Sequence, residues 1–439
     1  MDYLDPSRVI VVETNRVPFK GSNMHPSLWD KRASIRNWPS IILGWRNWLI
    51  KVAAKKRADW TLRNLNQCIS LSLSDIKKNE PMLKAACFFW SNTYNAFLFR
   101  QGLMSPTLAD VHMLTGLNVA GHINPFNLLV KPSVKLDIIR TGGWSQYIIS
   151  HKSDNRSVFD REHTAFLNMW LDRYVFCGQA CSPTSNYLTL AEKISGNSKI
   201  PLGKILLGAL YSLLNRVSQH LMQNESIPII TGPWWLLQLW LNLHLHKLVA
   251  PELINLSFPS LEYLEEQEEQ LPRSQKFHRR MSFGEAALAI TIDRSTTNFF
   301  KLFYKNSIEA ALEWFVYSDI PEFELPASFR FQIIYSDPEE LKILSHLVMP
   351  SLLPVEVRHG REKPPTSYEF FCPSIVARQM GFGQLPLALF FADKVKPRET
   401  VTTRIEYNRI LHFEQSLLPK AISRWECTPF TSIAFDHWW

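Results

Sequence analysis

Gly232-Pro233-Trp234-Trp235-Leu236-Leu237-Gln238-Leu239-Trp240-Leu241 is the stretch that decides what kind of molecule this is. Residues 226–246 carry no formal charge, so they read either as a membrane span or as the core of a globular fold. A spanning helix needs about 20 predominantly apolar residues. Pro228 and Pro233 cut the run short, and Gln238, Asn242, His244 and His246 interrupt it with groups that need hydrogen-bond partners. The reading is a buried core helix over 233–248, with Trp235 and Trp240 inside and no membrane crossing.

The neighbouring segments agree with a helical core. Residues 202–222 are apolar on most faces, as a central helix requires. Upstream, Asp160 opens a helix whose Phe166, Leu167, Trp170, Leu171 and Tyr174 share one apolar face, and Gly178 is expected to end it. Thr107 can cap another, Asp110 answers three residues on, and Gly116 closes it. Ile41, Trp45, Trp48, Leu49 and Val52 recur at helical spacing, which predicts an amphipathic helix over 41–57. Farther out, Arg8–Glu13 reads as a short strand or extended arm, and Phe329–Tyr335 alternates as a strand would. Ser307 and Asp337-Pro338-Glu339-Glu340 read as helix starts. The expected class is mainly α, a multi-helix globular domain with a few short β-strands.

Composition permits this. With 46% hydrophobic and 20% charged residues the 439-residue chain is not disordered, and 15 Trp and 27 Phe can fill a large core. Only 16 Gly against 27 Pro disfavours glycine-rich nucleotide folds. Six scattered Cys imply reduced thiols in the cytosol or nucleus, and the N-terminus shows no signal-peptide pattern, so secretion is not expected. Five acids fall within Glu262–Gln270, followed by Arg273, Lys276, Arg279 and Arg280. That switch suggests a linker at about 262–282 between two packed lobes, inside a main body of 59–439 that follows a basic, Trp-rich segment of 1–58.

The net charge of +8 sits in residues 20–63, where ten Lys and Arg face only Asp30 and Asp59. Tryptophans interleave with these cations, a combination that permits DNA or RNA contact through Lys51, Lys55, Lys56 and Arg57. The competing reading makes Trp45 and Trp48 core residues. The four cations then form a solvated face at a helix end, where the dipole favours them.

The search for chemistry is negative. Gly196 and Gly203-Lys204 have the wrong spacing for a phosphate loop, and Ile205 stands where Ser or Thr is needed. Gly381-Phe382-Gly383 lacks the third glycine of a dinucleotide loop. His244 and His246 point apart on a helix, the first reading better as a hydrogen-bonded helix-end residue, and Cys177 and Cys181 lack a second pair for zinc. His163 reads as a satisfied core histidine. No catalytic, metal or cofactor residues are assigned, and the chain is not expected to be an enzyme.

Five boxes in order resemble the plant mobile domain family, also called aminotransferase-like. They are Met104–Gly121, with Thr107, Asp110 and Gly116; Glu162–Phe176, with His163 and Trp170; Gly232–Leu241, with Trp235, Gln238 and Trp240; Tyr368–Phe382, with Arg378, Gln379 and Gly381; and the closing Phe435-Asp436-His437-Trp438-Trp439. Leu103 and Ala109, where some branches carry glutamates, make the chain look like the retroelement-associated branch. The resemblance implies a nuclear protein linked to transposon silencing, genome integrity and meristem development. Its implied partners are other proteins, among them a serine/threonine phosphatase of the plant seven-type. Pyridoxal phosphate needs a Schiff-base lysine and a carboxylate for its ring nitrogen, and the boxes supply neither, so no cofactor is expected. The boxed residues are read as serving fold and docking, with Arg378 partly buried and paired and Gly381 ending its helix. The alternative is a mobile-element-derived nucleic-acid binder or hydrolase, which would bring Asp110, Glu162 and Asp436 into one cleft.

Overall fold

In the computed structural model the described residues are, apart from isolated positions, 35–249, 282–305, 343–355, 368–384, 403–417 and 430–433. Among them the chain is mainly helical. Arg8–Glu13, the 262–281 stretch, Ser307, Phe329–Tyr335, Asp337–Glu340, Asp436, Trp438 and Trp439 lie outside them.

The first helix, α1 (Trp45–Leu62), departs from its expected limits at both ends. Gly44, at φ 89°, stands in the left-handed region and forces the helix to begin after it. No Pro or Gly interrupts the basic run, and Trp60 continues the buried face, so the helix runs on to Leu62. Lys51, Lys55, Lys56 and Arg57 therefore sit inside α1 and not at its end; its last turn holds no basic residue. Asn64, at φ 57°, turns the chain into α2 (Asn66–Leu71).

Next come α3 (Glu80–Cys87) and an antiparallel meander of β1 (Trp90–Ser91), β2 (Ala96–Phe99) and β3 (Gly102–Met104). Its register sets Trp90 opposite Phe97 and Phe97 opposite Met104, giving one aromatic, wholly buried face. Then follow α4 (Leu108–Thr115), α5 (Gly143–His151), α6 (Asp160–Met169) and α7 (Leu188–Ser195). Residues Trp170–Val175 prolong α6 as a π-helical turn. The residue that ends it is Cys177, left-handed at φ 47°, and not Gly178. Gly178 stays close to Asp172, whose Oδ1 would lie 2.2 Å from a Cβ there.

The longest of these helices, α8 (Leu202–Met222), is the central one. It packs against α3, α4, β1 and the antiparallel pair β4 (Ser351–Pro354) and β5 (Tyr368–Phe371). Gly208 permits the approach of β4, because a Cβ there would lie 2.5 Å from the Pro354 carbonyl oxygen. Pro233 precedes α9 (Trp234–Val249), whose Trp234 to Leu243 segment is buried. Trp235 and Trp240 are inside, as the sequence predicts, and no helix among the described residues is long and apolar enough to cross a membrane. Beyond residue 281, α10 (Phe283–Ala289) packs on α4 and α9, and α11 (Thr296–Lys305) packs on α3. A 3-10 helix at Pro373–Met380, the parallel pair β6 (Gly383–Gln384) and β7 (Phe430–Thr431), and α12 (Arg404–Leu417) complete the described elements.

Candidate functional site

The inner face of α1 is an aromatic stack. Trp45 lies parallel to Phe166, with ring centroids 4.7 Å apart, and Trp60 stacks on the same ring at 5.5 Å. Trp48 meets Phe166 edge-on at 5.4 Å. Trp45, Trp48 and Trp60 are no more than 1% exposed, so no base can stack on them. Lys51 also turns inward. Its ammonium donates to Glu162 Oε1 at 2.7 Å and Oε2 at 2.9 Å, and to the Ser153 carbonyl at 2.6 Å. Trp48 Nε1 donates to the same carboxylate at 3.0 Å. Glu162 is 4% exposed, so this is a buried charge satisfied from several sides. Lys51 thus leaves the candidate nucleic-acid set. Lys55 is exposed, Arg57 is half-buried, and Lys56 reaches Asp160 at 3.8 Å.

His163 is held between Trp60, whose Nε1 donates to its Nε2 at 3.0 Å, and Ser195 Oγ, 2.9 Å from its Nδ1. The tryptophan can only donate, so the ring is neutral with its proton on Nδ1. Burial, aided by the Lys56 and Arg63 charges, lowers its pKa to about 3. It is the satisfied core histidine that the sequence suggests.

The first box closes on itself and on two distant segments. Thr107 Oγ1 accepts the Asp110 N–H at 3.1 Å while Asp110 Oδ2 accepts the Thr107 N–H at 2.7 Å, a complete capping box. Gly116 ends α4 at φ 69°. The other Asp110 oxygen faces His244 Nε2 at 3.5 Å, and the imidazole lies against Trp240 at 5.1 Å. His244 is therefore an interior residue of α9, not a helix-end one. Gln379 clasps the backbone just ahead of the capping box: Ser105 N donates to its Oε1 at 2.6 Å and its Nε2 donates to the Ser105 carbonyl at 3.2 Å.

Gln238 makes the same kind of clasp, accepting Asn79 N–H at 2.7 Å and donating to the Lys77 carbonyl at 2.8 Å. Trp235 Nε1 donates to the Val175 carbonyl at 2.9 Å, tying the third box to the second. Trp170 and Trp240 are wholly buried. Arg378 is half-buried, and Gly381 ends its 3-10 helix at φ 79°.

A further polar knot had no counterpart in the sequence reading. Asn215, on the largely apolar α8, donates to Glu369 Oε2 at 2.9 Å and Asn95 Oδ1 at 3.0 Å and accepts from Trp90 Nε1 at 2.7 Å. Tyr211, one turn earlier, donates to the Pro106 carbonyl at 2.6 Å. The available signal was an amide inside an apolar helix, since a buried polar group needs partners.

Of the carboxylates proposed for a hydrolase, Asp436 lies outside the described residues, and the other two have different settings. Asp110 belongs to a helix cap and Glu162 to the Lys51 pair. Cys177 is buried while Cys181 is exposed, its thiol 3.0 Å from Asn37 Oδ1. No group of three or more His, Cys, Asp or Glu among the described residues could hold a metal ion.

The family model described as plant mobile domain matches residues 64–439. The chain belongs to the plant mobile domain family. Four of the five boxes on which the resemblance rests lie in described residues, and contacts link the first box with the fourth and with His244, just past the third, and the second with the third. Helix α1 precedes the matched span yet is fastened to the second box of the domain through Glu162 and Phe166. No curated protein matches the chain, and no solved structure does.

Proposed function

We propose that this plant mobile domain is a non-catalytic nuclear protein-interaction module, of the retroelement-associated branch. Its role lies in transposon silencing, genome integrity and meristem development. Its partners are other proteins, with a plant seven-type serine/threonine phosphatase among them. One observation carries the reading: boxed side chains capable of chemistry are engaged in holding the fold. Asp110 caps α4, Glu162 neutralises Lys51, His163 is kept uncharged by its core setting, and Gln238 and Gln379 clasp backbone. The surface offers apolar contact, since Leu43 and Ile149 are 85% and 69% exposed close to where Gly44 meets Ile148. Affinity purification from plant nuclei, with and without nuclease, tests it. The expected outcome is a set of nuclease-resistant protein partners that diminishes when Leu43 and Ile149 are replaced by Ser. Recovery of partners only without nuclease would favour a nucleic-acid binder.

A further inference from the structure

Between the end of α1, the loop after α4 and the α7–α8 link lies a half-open cleft of about 360 Å³, which meets the boxes only at Asn118, Ala120 and Gly121, the end of the first. That volume falls within the range of small-molecule sites, roughly 300–1,000 Å³. Its deep wall is apolar, made by Leu65, Ile200 and Leu202, all buried, with Ile194 and Ile343. Its rim carries Arg63, Asn64, Asn118, Ser198 and Lys199, and among the described residues no Asp or Glu lines it.

Several backbone acceptors beside it already take a hydrogen bond. The Trp60 carbonyl takes the Arg63 and Leu65 N–H groups, the Thr61 carbonyl takes Asn64 N–H, and the Lys193 carbonyl takes Ser198 N–H. The Ile194 carbonyl takes the Arg63 guanidinium. Asp59 lies 3.7 Å from Arg63 but outside the lining, and Lys199 is exposed. Helix α8 starts on this wall at Leu202, where its dipole adds a positive potential, while its first N–H groups are taken by the Ile200, Asn118 and Pro201 carbonyls. The charged side chains of the lining, Arg63 and Lys199, are thus both positive and stand beside an apolar wall.

We propose that the cleft binds a small amphipathic anion, its apolar body against Leu65, Ile200 and Leu202 and its phosphate or carboxylate head at Lys199 and Arg63. The test is calorimetric titration of the full chain with 1-naphthyl phosphate, 1-naphthoate and uncharged 1-naphthol, at about 50 and about 300 mM salt. The anions should bind at least fivefold tighter than the naphthol at low salt, and the stronger of the two identifies the head group. Lys199→Glu should weaken both anions about tenfold and leave the naphthol unchanged, as expected when a cation beside the head is reversed. Ser198→Trp should obstruct all three. Both positions are exposed, and an unchanged urea midpoint confirms that the variants fold. Equal binding of the naphthol and the anions, insensitivity to both substitutions, or no saturable binding would each overturn the proposal.

Discussion

Lys51 and Lys55 stand one turn apart on α1 and differ in everything but residue type. Lys51 faces inward, where Glu162 and Ser153 hold its ammonium. Lys55 faces water. A run of cations is thus not one feature: each takes its role from the element opposite, and here that element, α6, lies a hundred residues away in sequence. The inner face fastens α1 to a domain whose family match begins only at Asn64, while the other face carries the exposed Ala54, Lys55 and Ala58.

If the inner face carries stability, Phe166→Ala should have the largest effect, since it opens a cavity beneath three tryptophans: about 3–5 kcal/mol by urea denaturation. Glu162→Ala should follow at about 3 kcal/mol, because Lys51 and the Trp48 N–H lose their acceptor. Gln379→Ala should cost about 1–3 kcal/mol through the buried Ser105 N–H and carbonyl it leaves unpaired.

The histidines sharpen the same contrast through pH. His112 is pushed down to about 4 by burial and His163 to about 3, each below the ordinary value. A lowered folded-state pKa means the unfolded chain takes up the proton first. Stability is therefore full above about pH 6.5 and falls as pH drops toward those values, with a limiting slope near 1.4 kcal/mol per pH unit for each group. Unfolding measured from pH 7 to 5 should show this loss, and His163→Gln should remove its share of the slope. On the outer face, Lys55→Gln should change stability by less than about 0.5 kcal/mol.

Much of the fold was legible in the sequence because its cues are local. The Thr107–Asp110 box, the Gly116 stop, the apolar 202–222 run and the Pro233 start are each decided within one or two turns, and each stands as read. The failures are long-range or concern boundaries. The extension of α1 to Leu62 depends on Trp60 finding Phe166 and His163 across the core. The inward turn of Lys51 depends on Glu162. Cys177 takes the left-handed position, while Gly178 serves the close approach of Asp172, which comes from the preceding turn. Gln238 and Gln379 were marked by their boxes, but nothing nearby in sequence shows that each clasps a backbone segment more than 150 residues away.

The claim that the boxes act by holding the fold is tested most directly on Gln379, whose two bonds to Ser105 join the first box to the fourth. The measurement is amide hydrogen exchange of the Leu103–Thr115 segment in the wild type and in Gln379→Ala, with nuclear partner capture assayed on the same proteins. The account predicts that protection around Ser105 falls by at least tenfold, and that partner capture falls only in step with the fraction of folded protein. Unchanged protection with lost capture would contradict it and make Gln379 a contact residue.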